Sequence, residues 1–152
     1  MFFRSKKKEE KKELLYRKNI QTGCVPAPQK EVIHQVGQML VDSGYVEPPY
    51  VEAMLEREKT FSTFMGNGLA LPHGVEEAKK DIKASGIAVM TFPEGTDWGG
   101  NTVKIVIGIA GVGDEHLQIL SVIADKMMDA DTSEKLAAAD VDTIYSLLSG
   151  KE

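Results

Sequence analysis

Ile87-Ala88-Val89-Met90-Thr91-Phe92 and Val103-Lys104-Ile105-Val106-Ile107-Gly108-Ile109-Ala110 are the two stretches that decide the fold of this chain. Both are short, rich in β-branched residues and nearly unbroken in apolarity, with Lys104 the one charge inside them. That is the pattern of central strands covered on both faces. Pro93-Glu94-Gly95 and Trp98-Gly99-Gly100 punctuate the connection between them.

Upstream of these runs, Gly66-Asn67-Gly68 marks a turn, and Leu69-Ala70-Leu71 reads as a brief strand ending on Pro72-His73-Gly74. Val75 to Lys80 reads as a short helix, its early Glu76 and Glu77 and late Lys79 and Lys80 matching the helix dipole. Nearer the N-terminus, Val32, Ile33, Val36, Met39 and Leu40 repeat at helical spacing and stop at Asp42-Ser43-Gly44. Glu47-Pro48-Pro49 then opens a second helix to about Lys59, with Val51, Met54 and Leu55 inward. Leu14 to Ile20 is a mixed segment expected to dock at the domain edge, and 22–28 is turn-like.

Downstream, Gly111-Val112-Gly113-Asp114 leads into a helix whose apolar side is Leu117, Ile119, Leu120, Ile123, Ala124, Met127 and Met128. Asp114 is its N-cap candidate, which places His116 in the first turn. Asp131-Thr132-Ser133-Glu134 carries a capping pattern, and Ile144, Leu147 and Leu148 give a terminal helix its core contacts before Gly150. Alternating strands and helices predict one α/β domain with a sheet between helical layers.

Composition narrows the function. A chain of 152 residues, 42% hydrophobic and 27% charged, fits one soluble domain, and it contains no apolar run long enough to span a membrane. Arg4 and Lys6-Lys7-Lys8 follow Phe2-Phe3 at once, so a secretory signal is not expected and the cytoplasm is. The single Cys24 excludes an internal disulfide and a cysteine-rich metal or redox motif. The formal charge of -5 is uneven: residues 1–18 hold eight Lys or Arg against three Glu, leaving an acidic body ill suited to nucleic acid. The basic start reads as a solvated tail.

Two histidines stand at strand exits. His73 lies between Pro72 and Gly74, and His116 follows the Gly111-Val112-Gly113 exit of the second long run. Ligand sites of open α/β sheets gather at such ends, so neighbouring, parallel strands would bring both rings over one pocket. His34 falls beside the apolar face of its helix and reads as a surface residue. Metal binding lacks further ligands, since no His-x-x-x-His or suitably placed Glu accompanies the pair. Acyl transfer lacks a Gly-x-Ser-x-Gly elbow or a supported cysteine.

Phosphoryl transfer through a phosphohistidine remains, and without a nucleotide-binding loop the phosphate must arrive from another phosphorylated molecule. A second imidazole and a guanidinium would assist the transferred group. Arg57, at the end of the second helix, is the candidate guanidinium; the plainer reading is a helix-end arginine between Glu56 and Glu58.

Six segments, in order and spacing, carry a family resemblance: Gly44-Tyr45-Val46-Glu47, Ala53-Met54-Leu55-Glu56-Arg57-Glu58-Lys59, Met65-Gly66-Asn67-Gly68-Leu69-Ala70-Leu71-Pro72-His73-Gly74, Pro93-Glu94-Gly95, Val106-Ile107-Gly108-Ile109-Ala110 and Gly113-Asp114-Glu115-His116-Leu117. Together they resemble the mannitol-type enzyme IIA domain of the bacterial phosphoenolpyruvate-dependent sugar phosphotransferase system. The resemblance covers residues 14–150 and leaves 1–13 as a basic extension. It implies a mixed central sheet with helices on both faces, a three-layer α/β/α fold.

It further implies that His73 accepts a phosphoryl group from phospho-HPr and passes it to a cysteine of a mannitol-type IIB or IIBC protein. His116 and Arg57 are implied as supports. No metal, nucleotide or other cofactor is implied, and association with membrane transporter components is transient. Leu71, Phe64 and Met65 are candidate rim residues for docking, with core packing the favoured role for Leu71. A regulatory module controlled by His73 phosphorylation, or a component for another polyol or a fructose-like sugar, are the alternatives.

Overall fold

The computed structural model describes residues 12–127 and 129–149. The expected extension up to residue 11, together with Met128 and Gly150, lies outside them. Five strands form one mixed sheet in the order β1-β4-β5-β3-β2. They are β1 (Ile20–Gln21), β2 (Phe64–Gly66), β3 (Leu69–Ala70), β4 (Gly86–Trp98) and β5 (Asn101–Ala110). The helices are α1 (Gln29–Asp42), α2 (Pro49–Thr60), α3 (Glu115–Lys126), α4 (Ala130–Ala137) and α5 (Val141–Leu148).

The two long runs are the central pair, β4 and β5, joined antiparallel. Side chains alternate along a strand, and both sets are buried here. Ala88, Met90 and Val106 enter one cluster with Val36 and Leu40 of α1 and Tyr50 and Met54 of α2. Ile87, Val89, Ile105, Ile107 and Ile109 enter the other with Ile119 and Ile123 of α3, Leu136 of α4 and Ile144 of α5. Helices therefore cover both faces. Lys104 extends to the α4 surface, where its Nζ pairs with Glu134 at 3.0 Å.

Several details depart from the sequence expectations. β4 does not stop at Phe92 but runs on through Pro93 to Trp98, because a register irregularity between Thr91 and Thr96 takes up the proline and glycine. The segment at Val75 to Lys80 is a 3₁₀ turn, Glu76–Asp81. Asp114 sits at the N-cap of α3 but in a helical conformation, with no capping bond from its side chain. The cap of α4 is Asp129, whose carboxylate accepts from Thr132 N, rather than the pattern beginning at Asp131. Leu117 and Ala124 of α3 face solvent, so its buried stripe is narrower than the sequence suggests.

β3 lies parallel to β5 and antiparallel to β2. This pairing positions the site: the chain leaving β3 at Pro72-His73 and the chain leaving β5 at Ala110-Gly111 emerge side by side.

Candidate functional site

His73 continues the β3 pairing by one more bridge, to Ile109. Its Nδ1 lies 2.8 Å from the carbonyl oxygen of Leu71. A carbonyl can only accept, so Nδ1 carries the proton and Nε2 keeps its lone pair. Leu71 is itself held, its N–H donating to Thr63 O at 3.0 Å. The imidazole is partly buried, and desolvation, the largest influence, lowers its pKa from the ordinary 6.5. The Leu71 carbonyl opposes this, Arg57 adds to the lowering, and Glu58 raises. The ring thus favours the neutral form, with Nδ1 as donor and Nε2 unprotonated.

His116, in the first turn of α3, meets that ring with centroids 5.0 Å apart and planes inclined at 56°. Gly111 makes the approach possible, since a Cβ there would fall 2.4 Å from the His116 Cα. Arg57, near the C-terminal end of α2, lines the same cleft of about 230 Å³, together with Tyr50, Gly74, Val75, Lys79, Ile82 and Gly111. The structure therefore brings His73, His116 and Arg57 to one pocket.

Arg57 is anchored by donation from Nη1 to Phe61 O at 2.7 Å. The adjacent Glu58 accepts from Thr63 N at 2.8 Å, Thr63 Oγ1 at 2.6 Å and Trp98 Nε1 at 2.9 Å. The α2 end is thereby tied to β4 and to the loop that precedes β2. Charge-assisted bonds of this kind are the stronger class, and they restrain the long Arg57 side chain at the end of α2.

Tyr50 and Lys79 line the pocket without having been anticipated. Tyr50 carried one usable signal, an aromatic with a polar tip four residues before the core Met54, because a buried hydroxyl must find a partner. Lys79 had only its place in a charged run. His34 is exposed on α1, as its helical position suggested. Among the described residues no group of three or more His, Cys, Asp or Glu is arranged to hold a metal ion.

The rim differs from the sequence reading. Leu71 is buried, and Met65, the middle residue of β2, is exposed. Phe61, Leu117 and Val112 are exposed as well, from the end of α2 and the entrance to α3. Exposed apolar side chains thus stand on the same elements that bear Arg57 and His116.

A model of the phosphoenolpyruvate-dependent sugar phosphotransferase system EIIA 2 family matches residues 13–151. The chain is 46% identical over 128 residues to the mannitol-specific phosphotransferase enzyme IIA component of Bacillus subtilis (strain 168), covering 84% of this chain and 90% of that one. Its fold superposes on Escherichia coli IIA mannitol in a crystal structure, with TM-score 0.79, 39% identity and coverage of 86% of this chain and 95% of the other. It also matches the complex of that enzyme IIA with phosphorylated IIB, with TM-score 0.81, 38% identity and coverage of 88% and 95%. The chain belongs to the EIIA 2 family of the phosphoenolpyruvate-dependent sugar phosphotransferase system.

Proposed function

We propose that this chain is a mannitol-type IIA component in which His73 Nε2 relays a phosphoryl group from phospho-HPr to a cysteine of a IIB or IIBC protein. The observation that carries this reading is the bond from His73 Nδ1 to Leu71 O, which commits one nitrogen as donor and leaves the other as nucleophile beside His116 and Arg57. The Nε2 lone pair attacks phosphorus as the P–N bond to the HPr histidine breaks, its electrons returning to that ring. In the second step the cysteine thiolate attacks, the P–Nε2 bond breaks, and His73 regains its lone pair. Arg57 offsets charge on the three equatorial oxygens and His116 supports the group in transit.

Residues 14–150 constitute the phosphotransferase domain on this reading, preceded by the basic extension 1–13. Among the described residues no helix is long and apolar enough to cross a membrane. The protein works in the cytoplasm and meets its transporter transiently. The names of its relatives support mannitol as the sugar.

Incubation with phosphoenolpyruvate, enzyme I and HPr is expected to place an acid-labile phosphate on His73 and then on the cysteine of a mannitol IIB. His73→Ala abolishes labelling, while His116→Ala chiefly slows the second transfer. Absence of label with competent upstream proteins overturns the reading. Transfer to a different sugar's IIB in preference to the mannitol protein would reassign the substrate class.

A further inference from the structure

Tyr50 is 2% exposed, and its hydroxyl reaches the backbone on two sides of the place where His73 leaves the sheet. His73 and Ile109 form a parallel bridge. Such a bridge sends Ile109 N–H to the carbonyl before His73, and the N–H after His73 to the Ile109 carbonyl. The first bond is direct, from Ile109 N to Pro72 O at 3.0 Å. At the second position the Tyr50 hydroxyl engages both groups, accepting from Gly74 N at 2.9 Å and donating to Ile109 O at 2.9 Å. The ring closes the remaining side, since a Cβ on residue 74 would lie 2.5 Å from Tyr50 Cε1. A side chain from α2, the helix that bears Arg57, therefore sets where the His73-Gly74 peptide stands relative to β5.

We propose that Tyr50 is a positioning residue for phosphoryl transfer, fixing the His73-Gly74 peptide so that Nδ1 stays on Leu71 O and the ring keeps its place beside His116. This rests on the relay reading of His73. Tyr50 touches no reacting atom; it acts through the backbone of the nucleophile. Without the hydroxyl, Gly74 N–H and Ile109 O each lose a partner, and the shortest repair is a direct bond between them that draws the peptide toward β5 and turns the imidazole.

Tyr50→Phe keeps the ring and its contact with Gly74 while removing both bonds. Tyr45→Phe is the matched control: that side chain is fully buried and its hydroxyl also donates to a backbone carbonyl, Glu13 O, away from the cleft. The expected result is a fall in single-turnover transfer from phospho-HPr on the order of 10- to 100-fold for Tyr50→Phe, with KM unchanged, and wild-type transfer for Tyr45→Phe. Nitrogen NMR of the unphosphorylated imidazole should show one Nδ1-protonated tautomer in the wild type and tautomer averaging in Tyr50→Phe. A Tyr50→Phe protein with wild-type rate and a single tautomer overturns the assignment. So does a rate loss accompanied by lower thermal stability with the tautomer unmoved, or a variant that does not fold. If the wild type accepts no phosphate, the relay reading falls, and the tautomer measurement still decides whether Tyr50 sets the ring.

Discussion

The two faces of the sheet are built to different standards. Against one, α1 and α2 bury Val32, Ile33, Val36, Leu40, Tyr50 and Met54, and the aromatic rings of Tyr45, Phe92 and Trp98 join the same cluster. Against the other, α3 commits Ile119 and Ile123 to the core and leaves Leu117 and Val122 in solvent, 67% and 51% exposed. The first face supplies Tyr50 and Arg57, and the second supplies His116. The difference teaches a division of labour: the helices that supply Tyr50 and Arg57 commit their apolar faces to packing, with Phe61 exposed only where α2 ends, whereas α3, which carries the second histidine, leaves Leu117 and Val122 uncovered along its length.

The largest test of that contrast is Met54→Ala. Met54 is fully buried between α2 and the sheet, and its truncation should cost about 2 to 5 kcal/mol, read by urea denaturation. A loss near zero would mean that the α1–α2 side is not the consolidated one. A smaller effect should appear at the junction of the faces, in the pH dependence of stability. Folding lowers the His73 pKa from its ordinary 6.5, so an unfolded chain takes up a proton near that pH that the folded chain refuses. The contribution of the neutral ring is present above 6.5 and is lost as pH falls through and below it. His73→Gln should flatten the corresponding part of a stability-against-pH curve, and an unchanged curve would remove desolvation of His73 as a factor in the fold.

The smallest expected stability change is at Leu117. Leu117→Ser should alter unfolding free energy by no more than about 0.5 kcal/mol, as for an open surface site, while raising KM for phospho-HPr or for IIB. A loss of stability comparable to that of Met54→Ala would show that α3 is consolidated as firmly as α2 and erase the distinction between the faces.

The sequence made the central architecture legible because β4 and β5 are covered on both sides, so their apolar runs needed no periodicity to be read. The outer strands β1 and β2 span two and three residues and carry no pattern that long-range pairing does not supply. Pro93 and Gly95 looked like a break because local chemistry cannot reveal that a bulge will absorb them. His73 and His116 could be placed at strand exits, but their 5.0 Å approach depends on β3 lying parallel beside β5, a tertiary fact. The narrow buried stripe of α3 was hidden for a related reason: helical spacing marks which residues are apolar, while the neighbouring elements decide which are covered. Tyr50 was missed because its two hydrogen bonds go to residues far along the chain, Gly74 and Ile109.

At Gly111 the first atom of any side chain would already collide with the His116 backbone. The gap between the two imidazoles is consequently set by a missing atom, and it cannot be tuned in small steps by exchanging one side chain for a slightly larger one. Variation that adapts this protein to new partners has to act elsewhere, on exposed positions such as Met65, Val112 and Leu117, where a change of surface leaves the spacing of the rings untouched.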